Sequence, residues 1–193
     1  MNINAKKVPV QRGRLLLYAV CILLAVFYIV VMWWGITPKV GIEYKMYYIT
    51  HELSDWPGYR KLSYVLGTEE IATSRNDRDG NAVEWQTCMR KGQGWEKEQY
   101  EGSTNKGGVS YIYYVPTQAA DNCSYTVEIK DFDKRKPDAS VSVYVNGRQV
   151  GNIDGTGAYT FEVGNISQDE LLTVSFDAQN CSFTLWSACL WQR

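Results

Sequence analysis

The chain has 193 residues, a net charge of −1 and 45% hydrophobic residues, enough for one ordinary domain and an appendage. Its charge is unevenly placed: Lys6, Lys7, Arg12 and Arg14 precede residue 15, and all 21 acidic residues follow Lys39. The acidic remainder holds no basic run, which excludes nucleic acid as a partner class.

Leu15 to Ile36 is an uncharged stretch of 22 residues. At the helical rise it spans roughly 33 Å, against about 30 Å for a bilayer's hydrocarbon core. It has no polar stripe, and Trp33 and Trp34 stand at its far end, where indoles favour the headgroup layer. A cleaved signal peptide has a shorter apolar region ending in a small-x-small site, so an uncleaved signal anchor is the expectation. The basic residues before the helix place the N-terminus in the cytoplasm. The expected organisation is a basic tail over 1–14, a transmembrane helix over 15–36, a juxtamembrane lead-in over 37–61, and an extracytoplasmic domain over 62–193. The expected location is the plasma membrane, crossed once.

After Pro38 the apolar period changes to two. Alternating runs occupy Leu62–Thr68, Ala82–Met89, Ser110–Val115, Ser124–Phe132, Ser140–Asn146, Ala158–Val163, Leu171–Ala178 and Ser182–Trp191. Turn residues separate them, among them Asn146-Gly147 and Asp154-Gly155. The inward sets are Tyr125, Val127 and Ile129; Val141, Val143 and Val145; Tyr159, Phe161 and Val163; and Leu172, Val174 and Phe176. The fold class is all-β: a two-sheet jelly-roll sandwich preceded by one transmembrane helix. The usual jelly-roll arrangement puts runs one, eight, three and six in one sheet, and two, seven, four and five in the other. Under that order Cys123 faces Cys181 at one end, and Cys88 faces Cys189 at the other. Two disulfides are therefore expected, Cys123–Cys181 and Cys88–Cys189, in an oxidising compartment. Cys21 lies within the apolar stretch.

The runs Tyr111-Ile112-Tyr113-Tyr114-Val115-Pro116, Ser124 to Ile129, Val141 to Gly147, Gly155 to Phe161 and Phe183 to Leu190 carry a likeness. On these strand spacings Ser110 to Trp191 resembles the galactose-binding-like jelly roll of many carbohydrate-binding modules. The resemblance implies a fold, with ligands that are glycans, lipids or proteins; it transfers no ligand residue.

Five of the Trp and twelve of the Tyr lie beyond the apolar stretch, and flat rings with polar edges suit stacking on sugars. Aromatics outside the inward sets are the candidate contacts: Trp56 and Tyr59 in the lead-in, Trp95 and Tyr100 in the 90–109 loop, and Tyr144 with its neighbours Asn146 and Arg148. No metal site is expected: the cysteines lack paired spacing and His51 is the one histidine. Asp77 to Asn81 lacks the ligand spacing of a calcium loop, so a structural calcium is possible for the family but has no assigned position. Glu69-Glu70 reads as solvated surface. Asn122, Asn165 and Asn180 begin glycosylation acceptor triplets that matter only in a secretory pathway. One histidine, with no nucleophile–base spacing and no phosphate loop, argues against an enzyme. The expected function is a membrane-anchored, non-catalytic carbohydrate-binding-like module; the alternative is an accessory subunit whose sandwich docks on a larger surface complex.

Overall fold

The structure, a computed structural model, describes residues 10–36, 40–53, 56, 62–72, 90–96 and 102–193. It divides into two compact units, Met1–Val40 and Gly41–Arg193. The first holds helix α1, Val10–Ile36. Its segment Gly13–Ile36 is long and apolar enough to cross a membrane, and none of it is buried against protein. Apolar residues cover the helix on every side, as a helix solvated by lipid requires.

The second unit starts with the helical turn α2, Ile42–Tyr44, which widens into a π-helical turn over Lys45–Ile49. Among the described residues ten strands follow: β1 Ser63–Tyr64, β2 Glu69–Ile71, β3 Ser103–Asn105, β4 Gly108–Pro116, β5 Ala120–Lys134, β6 Ser140–Val145, β7 Arg148–Ile153, β8 Gly157–Ile166, β9 Leu172–Gln179 and β10 Cys181–Gln192. They form two facing sheets, ordered β1-β4-β9-β6-β7 and β2-β10-β5-β8, with β3 also paired to β10. This is the all-β sandwich expected.

Alternation decides which side chains enter the core. Tyr125, Val127, Ile129, Val141, Val143, Val174 and Phe176 are all at most 1% exposed, because period-two strands send every second residue between the sheets. Phe161 and Val163 are buried too, while Tyr159 packs at the margin. The Asn146-Gly147 break is a two-residue hairpin: both residues take positive φ, 49° and 77°, as a type I′ turn demands. It creates β7, a strand that alternation does not signal because its sequence, Arg148-Gln149-Val150-Gly151-Asn152-Ile153, is mostly polar.

The sheet order differs from the jelly-roll order expected from sequence. Runs four and eight, here β5 and β10, are antiparallel neighbours in one sheet. Runs three and seven, here β4 and β9, are neighbours in the other. Run one shortens to the two residues of β1, and run two lies outside the described residues.

This order overturns the disulfides. Cys123 lies opposite Gln192, and Cys181 opposite Lys134, at the two ends of the same β5–β10 ladder. Eleven residues of strand separate those ends by roughly 35 Å, whereas a bridge wants Cα atoms about 5.5 Å apart. Both thiols are free and buried, near the carbonyls of Ala120 (3.6 Å) and Ser140 (3.5 Å) respectively. Cys189 is free as well, and its expected partner Cys88 lies outside the described residues. A bulge in β10 displaces it. The register shifts on either side of Leu185. Inward positions therefore change from the odd residues Phe183 and Leu185 to the even residues Ala188 and Leu190. Cys189 is thereby turned to the outer face. Burial raises the pKa of all three thiols, which keeps them protonated.

Three tyrosines sit in the core with their hydroxyls satisfied. Tyr114 and Tyr125 share a hydrogen bond of 3.1 Å between the sheets. Tyr64 donates to the carbonyls of Thr68 and Leu190 and accepts from the Leu190 N–H at 2.9 Å. Burial pushes all three phenols above their ordinary pKa, so each is a neutral hydrogen-bonding group.

Candidate functional site

The first sheet presents an outer face with two aromatic rings. In Tyr111-Ile112-Tyr113-Tyr114, Ile112 and Tyr114 turn into the core, so Tyr111 and Tyr113 share the other face. Their rings are parallel within 2°, with centroids 6.2 Å apart. Segment 91–93 lies along the edge of β4: Gly92 N–H donates to Tyr111 O at 2.9 Å, and Tyr111 N–H to Gln93 O at 3.2 Å. Leu53 bridges to Gly92 beyond it. Gly92 permits this approach. A Cβ there would stand 2.7 Å from the Tyr113 ring and 2.9 Å from Glu52 O.

The result is a cleft of about 410 Å³ lined by Glu52, Gln93, Tyr111, Tyr113 and Thr173. Tyr113 is packed from below by Met46, Leu53 and Leu62. Its phenol is pushed up to about 12, first by burial, then by the charge of Glu52, then by Tyr111. It is therefore a hydroxyl at neutral pH. Gln93 is oriented by donating its amide to His51 O at 3.0 Å. The cleft thus combines a carboxylate acceptor, an amide, hydroxyls that both donate and accept, and the half-buried ring of Tyr111 beside the buried Tyr113.

The residues singled out from sequence scatter around this cleft. Tyr144 is half-buried on the same outer face: it lies opposite Ser175, which lies opposite Tyr111. Two strand spacings put the Tyr111 and Tyr144 backbones roughly 10 Å apart. Asn146 is committed to the chain. Its side chain accepts from the N–H of Thr173 at 2.8 Å, and its own N–H donates to Thr173 O at 2.8 Å, which fixes one wall of the cleft. Arg148 lies on the edge strand β7 and donates to Val163 O of the other sheet at 2.8 Å. Trp56 joins Tyr44, Tyr47 and Tyr48 in a separate aromatic group with centroids 5.3–6.4 Å from its own. Trp95 packs on Phe176 and Phe183 at the core. Tyr59 and Tyr100 lie outside the described residues.

Sequence reasoning passed over Tyr111, Tyr113, Glu52, Gln93 and Thr173. The signal for the rings was present in the alternation of Tyr111 and Tyr113 about Ile112. Nothing in the lead-in announces that Glu52 folds back beside β4. No cluster of three His, Cys, Asp or Glu side chains able to hold a metal occurs among the described residues, so no step is assigned to calcium.

No family model matches the chain, and no curated protein matches it. Among solved structures the chain is similar to the carbohydrate-binding module CBM36 in complex with calcium and xylotriose, at 13% identity and a TM-score of 0.38, over 64% of this chain and 98% of that one. It is similar to the CBM36-1 domain of a multidomain xylanase from the hindgut metagenome of Trinervitermes trinervoides, at 13% identity and 0.39, over 65% and 98%. A family 35 carbohydrate binding module from an environmental isolate matches at 16% identity and 0.31, over 63% and 87%. No fold family, ligand, metal or residue role is taken from these matches.

Proposed function

We propose that the chain is a membrane-anchored, non-catalytic module that binds a glycan on the outer face of the first sheet. The observation that carries this reading is the Tyr111–Tyr113 cleft, where parallel rings stand among Glu52, Gln93 and Thr173. Sugar rings present apolar C–H faces and hydroxyls that donate and accept at once. That lining answers both, and Tyr144, roughly 10 Å away on the same face, offers a further ring to an extended chain.

Retention of the detergent-solubilised chain on immobilised polysaccharides tests it. Tyr111→Ala should reduce retention at least tenfold, about 1.4 kcal/mol of binding, and lower the melting temperature little, since Tyr111 is only half-buried. Absence of retention by the parent chain across varied glycans would move the reading to an accessory subunit docked on a protein partner.

Anchoring is supported by the 24-residue apolar segment Gly13–Ile36 and the basic residues before and beside its start. Protease added to intact cells is expected to remove the sandwich and spare a tag placed before Lys6. A mature chain that starts after Ile36 would instead identify a cleaved signal.

A further inference from the structure

The turn formed by α2 and the π-helical stretch after it has two faces of different character. Its inner face sends Met46 into a small core with Leu53, Leu62 and Tyr113, where Met46 is buried. Its outer face carries Tyr48 and Ile49, which are 50% and 58% exposed. Beyond α1, the other described positions that expose a large apolar side chain are Val65 and Val109, far apart in sequence. The Tyr48 ring is grouped with others, its centroid 4.7 Å from Tyr44, 4.8 Å from Tyr47 and 5.3 Å from Trp56. Glu43, the one acidic residue of 42–49, is buried, whereas Lys45 is exposed. The turn therefore shows the solvent rings, an isoleucine and an ammonium, and withholds its carboxylate.

Ring geometry separates this group from the tyrosine cleft. Tyr111 and Tyr113 are parallel within 2°, whereas Tyr48 meets Tyr44, Trp56 and Tyr47 at 38°, 48° and 89°. Tilted and edge-on rings make no flat platform for a sugar face. They do suit the headgroup layer of a bilayer, where tyrosine and tryptophan place an apolar body beside a polar edge. An exposed isoleucine favours the acyl boundary, and an ammonium meets lipid phosphates there. Chain length supplies the occasion for contact. The apolar segment ends at Ile36 and α2 begins at Ile42, and six residues reach roughly 21 Å when fully extended. The headgroup layer itself extends about 5–8 Å beyond the hydrocarbon. A membrane crossed by Gly13–Ile36 is thus always within reach of the turn, at a concentration no soluble partner matches.

We propose that this aromatic turn is a membrane-surface contact, with Tyr48 and Ile49 seated in the headgroup layer and Lys45 on lipid phosphate. The proposal rests on the anchoring reading of Gly13–Ile36 and is independent of glycan binding. Photocrosslinking of the full chain tests it, in vesicles of phosphatidylcholine with a minor share of phosphatidylglycerol. The photoreactive residue p-benzoylphenylalanine is placed singly at Phe27 in α1, at Tyr48, at Ile49, or at Thr156 in the exposed loop between β7 and β8. Mass spectrometry should find lipid adducts from Phe27, Tyr48 and Ile49 and none from Thr156. Ile49→Asp, at an exposed position that folding tolerates, should lower the Tyr48 adduct by at least about threefold with the melting temperature unchanged. Lipid adducts at Phe27 without any at Tyr48 or Ile49 would overturn the surface and leave the anchor standing. No adduct at Phe27 would overturn the anchor and the surface with it. Labelling of Thr156 as strong as that of Tyr48, or a Tyr48 yield indifferent to Ile49→Asp, would show that the turn is not selected. Crosslinked chain dimers from Tyr48 in place of lipid adducts would make a second copy the occupant and overturn the proposal.

Discussion

Replacing Glu70 by Ala should destabilise the sandwich by about 3–5 kcal/mol, because it strands a cation in the protein interior. Arg90 meets Glu70 through two contacts, Nη2–Oε1 at 2.9 Å and Nε–Oε1 at 3.1 Å, with side chains only 4% and 2% exposed. The guanidinium also donates to the carbonyls of Leu62 (2.6 Å) and Ser63 (2.9 Å). It lies 5.5 Å and 5.6 Å from the ring centroids of Tyr64 and Tyr114. One side chain thus joins the entry to β1, β2 and the 90–96 segment, three pieces of chain with little strand pairing of their own. With Glu70 gone, none of these carbonyls or rings can neutralise the charge. Arg90→Ala should cost a similar amount, since it leaves a buried carboxylate and strands the Ser63 carbonyl. The double replacement should cost clearly less than the two single losses added together, the mark of a coupled pair. Urea denaturation of the solubilised chain measures all three. A loss below about 1 kcal/mol for either single variant would show that solvent reaches the pair, and the clamp would be refuted.

That clamp also marks where sequence reading stops. Period two correctly sends Glu69 and Glu70 to opposite faces, and Glu69 is exposed as expected. The inner face at Glu70 is nevertheless an ion pair, because its partner arrives from a residue 20 positions away. Solvated surface was the wrong expectation for Glu70. Strands β6 and β9 were legible because their alternation runs without a break, and so were the stretches Tyr125–Ile129 of β5 and Tyr159–Val163 of β8, where parity alone assigns the faces. In β10 the run Leu185-Trp186-Ser187-Ala188 has no alternation, and the bulge inside it reverses the parity of everything beyond. The Cys189 assignment failed for that reason. Strand order was not legible either: pairing is decided by long-range packing that leaves no local period. The tyrosine cleft shows both limits at once, with its rings written in β4 and its carboxylate supplied by a lead-in whose return path the sequence does not encode locally.

Trp95 discriminates between ligand contact and scaffold, and the geometry favours scaffold. Its ring meets Phe176 of the first sheet at 5.9 Å and Phe183 of the second at 5.8 Å, while those two rings meet each other at 5.7 Å. The indole N–H donates to Tyr111 O at 2.8 Å, so the same side chain closes the sandwich and braces the strand that carries the cleft. Gly94 makes the placement possible: its φ of +90° reverses the chain, and a Cβ there would collide with the Val109 carbonyl at 2.1 Å. Trp95→Ala should therefore cost about 3–5 kcal/mol, since the Phe176 and Phe183 rings lose a partner and the Tyr111 carbonyl loses its indole donor. Trp95→Phe, which keeps a ring but not the N–H, should cost less, about 1–2 kcal/mol, mostly for the lost hydrogen bond and the smaller volume. Polysaccharide retention by folded Trp95→Phe should stay near the parent level, in contrast with Tyr111→Ala. If Trp95→Ala instead left the melting temperature unchanged and removed retention, the indole would belong to the ligand, and the edge-on packing against Phe176 and Phe183 would not be what holds it.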